Sequence, residues 1–239
     1  MKSLDRLEKG ALALGIRLDE KQLGQFEHYY AMLIETNKVM NLTSITEWED
    51  VVDKHFIDSL SIVRVARLKE NDRIMDMGTG AGFPGIPLKI AFPDTRMTLM
   101  DSLNKRIGFL KHVISELELE NIEAVHSRAE DLARKPEYRE QFDLCVSRAV
   151  ANMSTLSEYC LPFVKIGGKF VPYKSGNVSE ELNKSQKAIA ILGGKISHVD
   201  NYTLMGTDAS RSLIIVDKVR MTGKTYPRKA GKPSKEPLS

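Results

Sequence analysis

Cys145 and Cys160 are the only cysteines among the 239 residues, and their spacing suits no metal motif. That excludes a disulfide scaffold and a zinc ribbon, and leaves two reduced thiols packed in a core. The five histidines are scattered, so no metal centre is expected. One tryptophan and 7% aromatic residues argue against recognition by extended base stacking. Long apolar runs are also missing. The strongest one near the end, "LIIV" at 213–216, is far short of the ~20 residues that cross a bilayer, so no membrane partner is expected. The opening stretch MKSLDRLEKGALALG carries Asp5 and Glu8 and no unbroken apolar core. A secretory leader is therefore not expected, and a cytoplasmic protein is. No internal repeat is visible.

What is present suits an ordinary globular core, since 42% of the residues are apolar. The net charge is only +3, but it is uneven. Residues 1–72 hold ten Lys/Arg against thirteen Asp/Glu, while residues 217–239 hold seven against two. The plain reading of that tail is a solvated, frayed end. The sharper reading is a phosphate contact through Lys224, Arg228, Lys229, Lys232 and Lys235. On that reading, removing residues 222–239 weakens binding of a phosphate-bearing partner and spares any small-molecule site elsewhere in the chain. The segment "GKTYPRKAGKPSKEPLS" is rich in Pro, Gly and Lys and predicts little regular structure.

Three regions follow: a helical extension over 1–70, an alternating region over 71–219 and the basic tail over 220–239. In the first, Leu4, Leu7, Ala11 and Leu14 recur at helical spacing, as do Leu23, Phe26, Tyr30 and Leu33. Asp19 and Gln22 predict a capping box for the second helix. Ser44 or Thr46 is placed to cap a third helix carrying His55, and "DSLSIVRVARL" predicts a fourth. The pattern then changes. "RIMDMG", "RMTLMDS", "IEAVHSR", "FDLCVSRA" and "GGKFVPYK" read as strands, with helical patterns in "GIPLKIAFP", "NKRIGFLKHVISELEL", "STLSEYCLPFV" and "SEELNKSQKAIAILGG". Such alternation predicts an α/β fold with parallel strands and right-handed crossovers. "KISHVDNYTL" and "SLIIVDKV" lack a helix between them and predict a closing antiparallel hairpin.

The stretch "IMDMGTGAGFPGIP" lies after the first strand, where open α/β sheets bind ligands. Gly80, Gly82 and Gly85 fit the dinucleotide pattern GxGxxG. Asp76, Gly78, Gly80 and Gly82 fit D-x-G-x-G-x-G, which resembles the first motif of class I S-adenosylmethionine-dependent methyltransferases. The carboxylate tips the choice. A pyrophosphate wants a positive helix end with no anion nearby, whereas a methionine ammonium wants an acid. A third reading keeps Asp76 as a buried cap inside a tight turn. Asp101 ends the second strand, nineteen residues after Gly82, where an acid accepts from ribose hydroxyls. Ala129 and Glu130 follow the third strand at the expected adenine edge, although Glu130 equally suits an acid opening a surface helix. Phe83 packs either on the ligand or in the core.

Taken in order, "MNLTSI", "HFIDSL", "GTGAGFPGIPLKI", "DSLNKR", "FLKHV", "SRAE", "SRAVA" and "YPRK" resemble the bacterial ribosomal RNA small subunit methyltransferase G family, also called glucose-inhibited division protein B. The resemblance runs from about residue 20 into the tail. It implies a Rossmann-like class I fold with a mostly parallel seven-stranded sheet, S-adenosylmethionine as cofactor, and methylation of one guanine N7 in 16S ribosomal RNA. It also implies cofactor contacts at Gly78, Phe83, Ala129, Glu130 and Arg148. Either the RNA or the small-subunit particle is the expected partner, and a monomer is expected.

The residues suit that chemistry. Guanine N7 has a lone pair and no proton to remove, so no catalytic base is assigned. "SRAVANM" follows the fourth strand in place of an Asn/Asp-Pro-Pro-aromatic motif, and no Pro-Cys pair supplies a thiolate. Arg148 is assigned to positioning cofactor or RNA backbone, because bonding N7 would occupy the attacking lone pair. His55 and Asp58, one turn apart, suit a local pair; the resemblance implies that with Asn41 they line the acceptor side, and ordinary helix capping and packing suit them equally. Lys105 and Arg106 suit either phosphates or solvent.

Overall fold

The computed structural model describes residues 3–238. Its centre is a seven-stranded sheet: β1 (Arg73–Met77), β2 (Arg96–Asp101), β3 (Ile122–His126), β4 (Phe142–Arg148), β5 (Val164–Ser175), β6 (Gly194–Thr203) and β7 (Ser210–Lys218). The spatial order is β3-β2-β1-β4-β5-β7-β6. Strands β1 to β5 pair in parallel, while β7 runs antiparallel to both β5 and β6. The expected hairpin is therefore present. Helices Gly85–Ala91, Asn104–Glu116, Ala129–Leu132, Met153–Cys160 and Ser179–Ile191 make the crossovers. The order steps outward from β1 to β3 and then returns to β4 on the other side of β1. That reversal opens a crevice beyond the carboxyl ends of β1 and β4.

Strand alternation divides the core into two faces. Ile74 points to the face covered by the N-terminal helices, and Met75 and Met77 point to the other. Helices α1 (Asp5–Ala13) and α2 (Glu20–Met40) join the first face directly. Phe26, Tyr29, Leu33 and Phe56 share one apolar cluster with Phe83, Ile86, Leu110 and Val171. Cys145 and Cys160 are buried, free thiols in the second cluster.

The predicted capping box opens α2: Gln22 N donates to the Asp19 carboxylate at 2.8 Å, and Asp19 N donates to Gln22 Oε1 at 2.9 Å. The third and fourth helices differ from expectation. They form one rod that changes pitch, from an α-turn Trp48–Val51 through a π-segment Val52–Ile57 and a turn Asp58–Leu60 to a 3₁₀ end Ser61–Arg64. Neither Ser44 nor Thr46 caps it, because Glu47 is the N-cap. The stretch 48–64 contains no Gly or Pro to break it, and Trp48, Val51, Val52, Phe56 and Leu60 are all buried. The tail is mostly irregular, as expected, apart from one turn at Lys232–Lys235. It is not frayed, however, since Thr222, Pro227 and Pro233 are buried.

Candidate cofactor and acceptor cleft

The crevice holds two adjoining cavities that meet at the glycine turn. Gly78, Arg106 and Ala149 line both. The first cavity, about 430 Å³, reaches Asp101, Ala129, Glu130, Tyr159 and Gly231. The second, about 680 Å³, reaches Thr43, His55, Asp58, Arg148, Tyr173 and Arg211.

The turn explains its own glycines, each differently. Gly78 and Gly80 take left-handed φ of +68° and +63°. A Cβ on Gly80 would meet nothing within 4 Å, so its open side faces the cavity. Gly82 is elsewhere. A Cβ there would lie 2.6 Å from Ile86 and 2.8 Å from the Tyr29 hydroxyl. Gly85 would press on Leu99 and on Asp76 itself. Gly82, read as a cofactor contact from the motif, thus lies behind the wall, where close helix packing requires it.

Asp76 also lies behind the wall. Its side chain is fully buried, and Oδ2 accepts from Thr79 Oγ1 at 2.6 Å and from Gly85 N at 2.8 Å. The carboxylate therefore organises the turn, the reading that kept it as a buried cap. Oδ1 has no partner among the described residues. Burial pushes the pKa up to about 6, against the Thr79 and Gly85 hydrogen bonds that lower it.

Asp101 sits where the sequence places it. Its carboxylate accepts from Gly80 N at 3.0 Å, Leu103 N at 2.9 Å and Arg106 Nη1 at 3.2 Å. Arg106 is thus held on the cavity wall, while Lys105 is exposed. Glu130 lies in the one-turn helix after β3 but is buried, not a surface acid. Its Oε1 accepts from the backbone N of Gly231 at 2.9 Å. A carboxylate at the end of β2, another beyond β3 and an open glycine between them fit a nucleoside with an amino-acid arm.

The second cavity is dominated by cations. Arg148 donates to Asp58 at 2.7 Å and to the Lys54 carbonyl at 3.2 Å, and lies 5.1 Å above the Phe83 ring. Arg211 donates to the other oxygen of Asp58 at 3.1 Å. Asp58 is therefore a buried acid shared by two arginines. His55 does not pair with Asp58, as the one-turn spacing suggested. The Arg148 guanidinium stands between them, 3.3 Å from His55 Nδ1, and takes the carboxylate. The His55 ring stacks on Phe83 at 4.4 Å, and its Nε2 faces Thr43 Oγ1 at 2.8 Å. Burial and the Arg148 charge lower its pKa to about 3, so it is neutral at ordinary pH. Asn41 is exposed at the left-handed end of α2, and Leu42 and Thr43 line the cavity in its place.

Several lining residues escaped the sequence reading. Tyr173 and Lys174 end β5, so the strand-end rule was the available signal. Arg211 and Gly231 carried none. Arg228, grouped with the phosphate-binding cations, is spent elsewhere: its Nη2 lies 2.7 Å from the fully buried Glu158. A buried acid claims the nearest guanidinium, because leaving it unpaired costs several kcal/mol, ~3–5.

Among the described residues, no His/Cys/Asp/Glu group is placed to hold a metal ion, and no helix is long and apolar enough to cross a membrane. The fold is similar to that of the TYW2 protein of M. jannaschii in complex with AdoMet, with TM-score 0.55 and 12% identity over 74% of this chain and 80% of that one. A SAM-dependent methyltransferase from Aquifex aeolicus gives TM-score 0.52 and 16% identity over 70% and 92%. Curated relatives named ribosomal RNA small subunit methyltransferase G match the sequence closely. The protein of Lachnoclostridium phytofermentans is 56% identical over 96% of this chain and 95% of its own length. That of Clostridium tetani is 50% identical over the full length of both. The family model described as "GidB: rRNA small subunit methyltransferase G" matches residues 22–211. The chain therefore belongs to the GidB family, with the fold of the class I methyltransferases.

Proposed function

We propose that the protein methylates N7 of a guanine in 16S ribosomal RNA, without a dedicated general base. The RNA substrate is supported by the name of the relatives, ribosomal RNA small subunit methyltransferase G. The observation that carries the chemistry is the state of the ionisable groups around the acceptor cavity. Asp58 is saturated by Arg148 and Arg211. Glu181 accepts from Lys174 at 2.7 Å, and the Tyr173 hydroxyl donates to Ser59 O at 2.7 Å. His55 is neutral, with a pKa near 3, too low for a base working at neutral pH. An acceptor with an exposed lone pair and no proton to lose suits such a site.

When bound, S-adenosylmethionine supplies a methyl group on a sulfonium centre, open to in-line attack. Asp101 and Glu130 would hold its nucleoside, and Gly80 leaves the main chain bare beside its amino-acid arm, whereas a Cβ on Gly78 would press on Val150. Asp76 acts through the turn, by fixing Thr79 and Gly85. Arg148 keeps Phe83, His55 and Asp58 in one arrangement and acts as a positioning residue. Alignment of two bound partners is worth roughly 7–11 kcal/mol of barrier, and that is the protein's contribution. Exposed Lys224, Lys229, Lys232 and Lys235 belong to the phosphate-facing surface.

The test is labelled methyl transfer to small-subunit RNA and to assembled particles that lack the modification, followed by nucleoside digestion. The expected product is 7-methylguanosine. Label on an exocyclic amine, a ribose or protein would overturn the assignment.

A further inference from the structure

The tail begins on the wrong side of the sheet for a role in the cleft. Strand β7 is antiparallel, so Lys218 ends it near the amino ends of the parallel strands, beside Gly194. The chain then climbs back along the body, tied at each stage. Buried Lys218 Nζ donates to Leu161 O, Val164 O and Thr222 Oγ1 at 2.6, 3.0 and 2.9 Å. Arg139 donates to Thr222 O at 2.9 Å and to Tyr226 O at 3.0 Å, and Arg134 to Pro227 O at 2.6 Å. Arg228 clamps Glu158 through its backbone N at 2.7 Å and its Nε at 3.0 Å, as well as through Nη2. Beyond this clamp, Pro233 O accepts from Thr155 Oγ1 at 3.0 Å.

Between clamp and anchor stands Gly231. Its φ of +79° turns the backbone so that its N–H reaches Glu130 Oε1 at 2.9 Å, and it forms part of the nucleoside cavity wall with Tyr159. We infer that the tail is a strap completing the adenine end of the cofactor site, with Gly231 N–H holding one oxygen of Glu130 so that the other accepts from the exocyclic amine of the purine. This rests on the reading of that cavity as the nucleoside site. Residue 231 lies outside the stretch 22–211 matched by the family model, so the family description does not cover it. The strap also replaces the expectation that residues 222–239 are dispensable for cofactor binding.

The test compares S-adenosylhomocysteine with its deaminated analogue, S-inosylhomocysteine, by calorimetry. The intact chain should bind the adenosyl compound at least tenfold more tightly, because the analogue presents a carbonyl to Glu130. A chain truncated after Lys229 keeps the Arg228–Glu158 clamp and loses Gly231. Its affinity for the adenosyl compound should fall about tenfold and its preference should fall toward unity, with its fold verified by a thermal melt without ligand. Gly231→Ala, strained at that φ, should move the preference the same way by a smaller factor. Equal loss of both ligands, with the preference intact, would overturn the amine-reading role. Unchanged binding in the truncated chain, with binding abolished in Asp101→Ala, would overturn the strap and leave the nucleoside site standing. Unchanged binding in both variants would remove the nucleoside site as well.

Discussion

The two halves of the cleft share the glycine turn and are built in opposite ways. On the side proposed for the nucleoside, Asp101 and Glu130 take hydrogen bonds mainly from backbone N–H groups. A carboxylate so held keeps acceptor capacity for a ligand. On the acceptor side, Asp58 is consumed by two arginines, and Lys54, Arg148, Lys174 and Arg211 line the wall. One half offers acceptors to hydroxyls and amines. The other half carries more cations than acids on its wall, with Lys54, Arg148, Lys174 and Arg211 ion-paired to Asp50, Asp58, Glu181 and Asp58. The difference lies in what each buried acid faces: Asp58 is enclosed by two guanidiniums, whereas Asp101 and Glu130 are held mainly by main-chain amides on the wall of an open cavity.

The strongest way to break this contrast is Asp58→Ala. It leaves Arg148 and Arg211 beside an empty socket, and a loss of roughly 3–5 kcal/mol in urea unfolding is expected. If stability is unchanged while methyl transfer is lost, Asp58 belongs to the chemistry and not to the scaffold. A second comparison separates the glycines. Gly82→Ala forces a Cβ against Ile86 and Tyr29 at φ +104° and should cost roughly 2–5 kcal/mol. Gly80→Ala meets no protein atom and should cost about 1–2 kcal/mol for its backbone, with most of its effect on affinity for S-adenosylhomocysteine. Equal stability losses would erase the distinction between wall and cavity.

Titration sharpens the contrast further. The folded pKa of His55, about 3, lies below the ordinary value of 6.5, so the unfolded chain binds this proton first as pH falls. Its contribution to stability is complete above about 6.5 and drains away toward pH 3, by roughly 1–3 kcal/mol at pH 4. His55→Gln should flatten that limb in pH-dependent unfolding. Asp76 works in the opposite sense. Its folded pKa of about 6 lies above the ordinary 3.8, so the stability it lends below about pH 4 is lost as pH rises through 6. Asp76→Asn should remove this decline, and an unchanged profile would show that the carboxylate is not strained. The smallest effect is expected at Lys229→Ala, an exposed tail position proposed to face phosphates. Each phosphate contact removed should reduce the log–log salt slope of RNA binding by about 0.7–0.9. A slope identical to that of the intact chain would take Lys229 out of the interface.

Legibility followed distance along the chain. The strands around the glycine turn, the capping box at Asp19 and the acid at Asp101 all rest on residues a few positions apart, and all stand where the spacing puts them. The sequence suggests separate third and fourth helices, the third capped by Ser44 or Thr46; the structure has one rod over residues 48–64 with Glu47 at its N-cap. The buried apolar face of the rod outweighs those local preferences. The pairing of His55 with Asp58 failed for a related reason. Helical spacing brings two side chains near each other, but Arg148, ninety residues away from Asp58, makes the stronger charge-assisted bond.

By itself the sequence determined the alternation of strands and helices, the place of the glycine turn and the acids at the strand ends, because those depend on period, φ and short spacing. Only the tertiary structure decided which glycines face the cavity, that Asp76 holds the turn from behind, that Asp58 is shared by two arginines, and that Gly231 reaches Glu130. Those choices depend on which distant donor lies nearest to a buried acid, and a carboxylate out of water takes whichever donor the fold delivers.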